Sequence, residues 1–126
     1  MGDQPKPTHY KDLLVWQKGM LLAKLVYKLT TQFPAEERYG LTSQLRRAAV
    51  SVPSNIAEGQ ARSGTKEFLQ FLSHAGGSLA EIETQLLLSV ELGFVQRSDV
   101  DASLKELHEL QRMIPALKRK LSSSSH

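Results

Sequence analysis

A chain of 126 residues with a net charge of +3 and no cysteine is sized for one domain around a single core. The missing cysteines exclude disulfides and thiolate zinc sites. Apolar runs stay far short of the roughly 20 residues that span a bilayer, and the start lacks a basic stretch followed by an apolar signal core, so a soluble cytoplasmic protein without membrane association is expected.

Residues 1–10 contain Gly2, Pro5 and Pro7 without a periodic pattern and read as a flexible N-terminal arm. Tyr10 is expected to pack where the arm meets the helices. The first helix is predicted over about 12–33, with Asp12 as N-cap and Pro34 as its stop. Val15, Leu22, Val26, Leu29 and Phe33 form one apolar stripe. Trp16, Met20, Ala23 and Tyr27 form a second beside it, leaving Gln17, Lys24, Lys28 and Thr31 as a narrow polar face. That arc is wider than one seam requires. Contact with another subunit and deep burial among the chain's own helices both account for it.

The second helix is predicted over about 40–60. Leu41, Leu45, Ala48, Val52 and Ile56 share one face, and the spacing runs through Pro53 without a phase change. A proline inside a helix costs roughly 3 kcal/mol, so a kinked but continuous helix is expected. Asn55 falls almost within the apolar stripe. Bridging two helices and contacting a ligand are both open to it, since a buried amide must be paired. Arg46 and Arg47 point away from the stripe, either as solvated surface or as phosphate contacts.

Gly59–Thr65 turns the chain into a third helix over about 65–92, with Ser63 or Thr65 as cap. Phe68, Leu72, Ala75, Leu79, Ile82 and Leu86 repeat by four and three. Gly76 and Gly77 interrupt it, each costing up to about 1 kcal/mol against alanine. Close approach to the second helix is the expected return. Glu81 and Glu83 stand ready to receive Arg46, Arg47 or Arg62. Gly93 should end the helix, with Phe94 making the contact that follows such a cap. A fourth helix over about 98–121 is capped by Ser98 and should be kinked near Gln111 by Pro115. Val100, Leu104, Leu107, Ile114, Leu117 and Leu121 face inward, with Leu110 at the edge. Residues 122–126 read as a disordered tail. The fold class is all-α: an up-down-up-down antiparallel four-helix bundle over 11–121.

No catalytic constellation emerges. A carboxylate-bridged metal pair needs Glu-x-x-His on inward faces, but Phe71 and Lys105 stand three residues before His74 and His108. There is no phosphate loop, no HExxH and no serine elbow. The expectation is a non-enzyme with no metal and no cofactor. Residues 1–63 carry nine Lys and Arg against five Asp and Glu, while residues 67–109 are acidic. Lys24, Lys28, Arg46, Arg47 and Arg62 are therefore the nucleic-acid-binding candidates. No basic-aromatic cluster is visible along the chain, so phosphate contacts rather than base stacking are expected.

Several segments together carry a family resemblance: LLVWQKGMLLAKLVYKLTTQFPAEE, YGLTSQLRRAAVSVPSNIAEGQAR, EFLQFLSHAGGSLAEIETQL and LGF. From about Leu13 to Phe94 the chain resembles the four-helix-bundle family encoded in intervening sequences of bacterial 23S ribosomal RNA genes. Its SxPxNxxEG pattern falls on Ser51, Pro53, Asn55, Glu58 and Gly59, and its GSxxExE pattern on Gly77, Ser78, Glu81 and Glu83. The resemblance implies a homo-oligomer, specifically a five-subunit barrel. It also implies kinship with the accessory variability protein of diversity-generating retroelements, which binds nucleic acid and works with a reverse transcriptase. The expected role is RNA or DNA binding through backbone phosphates. An oligomeric scaffold for a protein partner, such as a reverse transcriptase, is the alternative.

Overall fold

Apolar residues repeating by three and four build four long helices in the computed structural model, which describes residues 10–123. They are α1 (Leu14–Thr30), α2 (Leu41–Ala61), α3 (Thr65–Glu91) and α4 (Asp101–Ser123). Short 3-10 turns at Tyr10–Asp12, Ala35–Glu37 and Arg97–Val100 join or precede them. The described residues contain no strand. The arm over residues 1–9 and the last three residues lie outside the described part. Ser122 and Ser123, expected in the tail, are the last residues of α4.

Each helix packs against two neighbours: α2 lies against α1 and α3, and α4 lies against the same pair. The α2–α3 pairing is the most extensive. Leu22 and Val26 of α1, Leu45, Val52 and Ile56 of α2, and Leu72, Leu79, Ile82 and Leu86 of α3 are fully buried. So are Leu107 and Leu110 of α4. Burying a side chain of this size contributes about 1.5–3 kcal/mol. Leu110, expected at an edge, is thus central. Leu117 and Leu121 are half-buried at the far end of α4.

Pro53 and Pro115 both sit inside continuous helices. Pro53 is buried where α2 crosses α1 at Gly19. A Cβ there would lie 3.3 Å from Val52 Cγ1 and 3.4 Å from the Pro53 nitrogen. The close approach expected at Gly76 and Gly77 occurs instead at Gly19 and Gly59. A Cβ on Gly59 would sit 2.6 Å from Phe71 Cβ, whereas one on Gly76 or Gly77 would meet nothing within 4 Å. The two α3 glycines turn away from α2.

Several helix ends differ from expectation for local reasons. α1 stops at Thr30, a turn before Pro34, where the Thr30 hydroxyl donates to the Val26 carbonyl at 2.9 Å. Thr31 donates to the Lys28 carbonyl at 2.7 Å, and 3-10 bonds from Gln32 to Leu29 and Phe33 to Thr30 tighten the exit. The N-cap of α1 is Leu13 rather than Asp12, and that of α3 is Gly64 rather than Ser63 or Thr65. α4 starts at Asp101 because a 3-10 turn intervenes after Gln96. Gln96 rather than Ser98 caps that turn, and its amide donates to Asp99 Oδ2 at 2.8 Å. Gly93 behaves as expected. At φ +78° it lets its own N–H reach Val90 and that of Phe94 reach Ser89, at 3.0 and 2.9 Å. Phe94 then packs on Phe33, ring centroids 5.6 Å apart.

Candidate nucleic-acid interface

The exit of α1 and the start of α2 meet at one end of the molecule, and basic side chains converge there. Arg46 reaches from α2 onto the last turn of α1. Its Nε donates to Thr30 Oγ1 at 2.7 Å and its Nη2 to the Tyr27 carbonyl at 3.3 Å. Its guanidinium lies 4.6 Å from the Tyr27 ring centroid, a cation–π contact. A cation at a helix C-terminus also suits the helix dipole. Arg46 thus ties two helices together while lending its charge to the surface.

Arg47, one residue on, is exposed. It lines two recesses of about 420 and 350 Å³. Tyr39 stands between them, 87% exposed, with the Arg38 guanidinium 5.6 Å from its ring centroid. Lys24 and Lys28, four residues apart on α1, share a helix face, and both are exposed. Tyr27 links the two groups: it borders the groove that Lys24 lines and the recess that Arg38, Arg46 and Arg47 line.

The structure gathers Arg38, Arg46 and Arg47 around one recess, with Lys28 in the last turn of α1 and Lys24 a turn further back beside the α1–α2 groove. Arg62 stands apart at the other end of α2, about 22 Å along the helix. There it pairs with Glu58 at 2.8 Å and lies 5.1 Å from the Phe71 ring centroid. Sequence reasoning missed Arg38 and Tyr39, and it counted Tyr27 as apolar stripe. The expectation of no basic-aromatic cluster is corrected: Tyr27 and Tyr39 sit among three arginines. An aromatic in a short polar connection, followed by glycine, was the available signal.

The signature positions form the α2–α3 seam and its margins. Ser51 Oγ lies 2.6 Å from both the Ala48 carbonyl oxygen and Ser78 Oγ, so the hydroxyls join α2 to α3. Asn55 is paired, but within its own helix: its amide donates to the Ser51 carbonyl at 2.7 Å, and among the described residues it bridges no helices. Pro53 and Gly59 are the tight contacts described above. Gly77 lies on the exposed side of α3.

Glu81 and Glu83 receive none of the expected arginines. Glu81 accepts from Gln85 Nε2 at 3.2 Å, and the same nitrogen donates to Gln44 at 3.3 Å. Gln85 Oε1 is left buried without a hydrogen-bond partner. Glu83 faces α4, accepting from His108 Nε2 at 3.0 Å and Gln111 Nε2 at 3.1 Å. These two bonds hold its carboxyl below the usual carboxylate range. The arginines were misassigned because a step of two residues, about 200° around α3, decides whether a carboxylate looks toward α2 or α4.

Among the described residues, no three His, Asp or Glu side chains are placed to hold a metal ion, and no helix is long and apolar enough to cross a membrane. What the fold and its surface define is a small all-α, four-helix protein with a cluster of arginines where α1 meets α2. A profile of the family described as 23S rRNA-intervening sequence protein matches residues 11–116, and the chain belongs to that family. The resemblance read from residues 13–94 is confirmed, and the match extends through most of α4. Solved structures match as well. One is the crystal structure of a protein with unknown function from the S23 ribosomal protein family of Bacteroides thetaiotaomicron VPI-5482. It is 18% identical, with a TM-score of 0.75 over 83% of this chain and 98% of that one, a likeness that carries the fold. No match was found among curated proteins.

Proposed function

We propose that this chain is a non-enzymatic helical protein that binds RNA or DNA through backbone phosphates with weak sequence selectivity. The observation that carries the reading is the cluster of Arg38, Arg46 and Arg47 around one recess at the junction of α1 and α2, with Lys24 and Lys28 exposed along α1. Phosphate contacts need cations that face solvent, and Lys24, Lys28 and Arg47 are exposed. Arg46 adds charge from a fixed position.

The reading includes assembly. An up-down-up-down bundle repeated as a homo-oligomer, five-fold by family likeness, turns a modest patch per chain into a basic ring. The groove of about 480 Å³ between α1 and α2 supports a contact between copies. Its rim exposes Met20 and Tyr27, 41% and 44% accessible, where the first helix has more apolar surface than its own core uses.

That groove also favours a second reading, a scaffold that docks a protein partner, with a reverse transcriptase as the partner implied by the family's kinship. Salt separates the two. Fluorescence anisotropy with a structured RNA and a duplex DNA should show affinity falling linearly in log salt. A triple variant, Lys24→Glu, Lys28→Glu and Arg47→Glu, should lose binding while keeping its helix content. Arg46 is left intact because it holds α1 to α2. Absence of binding to either nucleic acid at low salt would remove the backbone reading and leave the scaffold.

A further inference from the structure

Tyr39 is the large side chain with the least burial among the exposed hydrophobic residues, yet its backbone is closely fixed. The Gly40 N–H donates to the Glu37 carbonyl at 2.9 Å, and the Leu41 N–H donates to Glu37 Oε1 at 3.0 Å. A 3-10 turn over Ala35–Glu37 precedes it. The ring is thus presented on a short, hydrogen-bonded turn. Arg38 lies over the ring, and an accessibility of 87% leaves the opposite face open.

The surroundings on both sides are polar and basic. One recess beside Tyr39 is lined by Arg38, Arg46 and Arg47. The other is lined by Arg47, Ser43 and Gln44. Both volumes lie within the range of small-ligand clefts. The acid nearest in the connection, Glu37, is engaged with the Leu41 amide, and Glu81 at the edge of the second recess is engaged with Gln85. An exposed aromatic face with guanidinium groups on either side is the arrangement that stacks a base while holding the flanking phosphates. A duplex offers phosphates to the same cations, but its bases are already stacked and cannot meet the ring.

We propose that this end of the molecule is a single-strand site: Tyr39 stacks on an unpaired base of RNA or DNA, and Arg38 and Arg47 hold the neighbouring phosphates. The proposal rests on the backbone-binding reading and adds the strand state of the ligand to it.

The test is anisotropy with an unstructured pyrimidine oligonucleotide, as RNA and as DNA, beside the matching duplex, for wild type, Tyr39→Ala and Tyr39→Trp. Circular dichroism checks that both variants fold, which the exposure of Tyr39 favours. Tyr39→Ala should weaken single-strand binding about tenfold or more, with duplex affinity and salt slope unchanged. Tyr39→Trp should retain single-strand binding, and its added indole emission should be quenched by the single strand and not by the duplex. Unchanged single-strand affinity in Tyr39→Ala, or equal losses on single strand and duplex, overturns the single-strand site and leaves backbone binding standing. Failure of wild type to bind any of the three ligands at low salt overturns both.

Discussion

Gly59 and Gly77 are both helical glycines in signature positions, and their surroundings assign them opposite roles. A Cβ on Gly59 would press to 2.6 Å from Phe71 Cβ and 3.0 Å from the Phe68 ring. Gly59→Ala should therefore destabilise the fold by about 1–3 kcal/mol in urea unfolding, despite alanine's better helix propensity. Gly77 faces open space, so Gly77→Ala should stabilise the single chain by up to about 1 kcal/mol. The same melts, run side by side, check both signs. The sequence pointed to the close approach at Gly76 and Gly77 and to a turn at Gly59, for a physical reason. Two adjacent glycines advertise a close approach, but successive residues are about 100° apart around a helix. Ala75 is buried while Gly77, two positions on, lies on the outer side. Spacing identifies which residues share a face. Which neighbour that face meets is a property of the packed molecule. Tyr39 was illegible on similar grounds, because exposure in a turn depends on what the flanking helices cover.

α4 is fastened to the other helices by polar clusters as well as by leucines. Lys18 of α1 donates to Glu106 at 3.2 Å and also to Glu109, and Glu83 of α3 takes His108 and Gln111. Lys118 reaches Ser73 at 2.7 Å. The hydrogen bond from Lys18 holds the Glu109 carboxyl below its ordinary value, as the bonds from His108 and Gln111 do for Glu83. The unfolded chain then binds more protons than the folded one in mild acid. The stability these two groups contribute is complete above the ordinary carboxylate range and is lost as pH falls through the lowered folded values. Docking of α4 should weaken as pH falls through and below the ordinary carboxylate range, and Glu83→Gln with Glu109→Gln should flatten that profile in pH-dependent thermal melts. Lys18, raised first by Glu109 and then by Glu106, runs the other way. Its contribution holds below the ordinary lysine range and fades as pH climbs through the raised value. The apolar seams of all four helices were readable in the sequence because they repeat by three and four. The ends were less so: α1 leaves its helix through 3-10 bonds from Gln32 and Phe33, a bonding choice that periodicity does not encode.

At the scale of the whole molecule, charge and apolar surface are both unevenly placed. The basic cluster occupies the end where α1 meets α2, and the groove between those helices exposes Met20, Tyr27 and Val50. If copies of the chain meet across that groove, Met20→Lys with Val50→Lys should lower the mass found by light scattering while helix content stays unchanged. Retained mass would place the contact elsewhere. Charge counting named Lys24, Lys28, Arg46, Arg47 and Arg62 as candidates without placing them in space. Exclusion of Arg62 required the length of α2, and inclusion of Arg38 required the turn.

The extensive pairing of α2 with α3, set against the lighter attachment of α4, implies a hierarchy of opening. α2 and α3 are consecutive and joined by three residues, Arg62–Gly64, so their mutual contacts close a short loop. α4 must dock across two helices after the chain has turned again. Native-state deuterium exchange should find the amides of α4 opening at a lower free energy than those in the centres of α2 and α3, as a separate cooperative unit. A uniform exchange free energy across all four helices would mean that the molecule opens only as a whole. In that hierarchy α4 acts as a removable flank, and its release would uncover apolar faces of α1 and α3 while the α2–α3 pair persists.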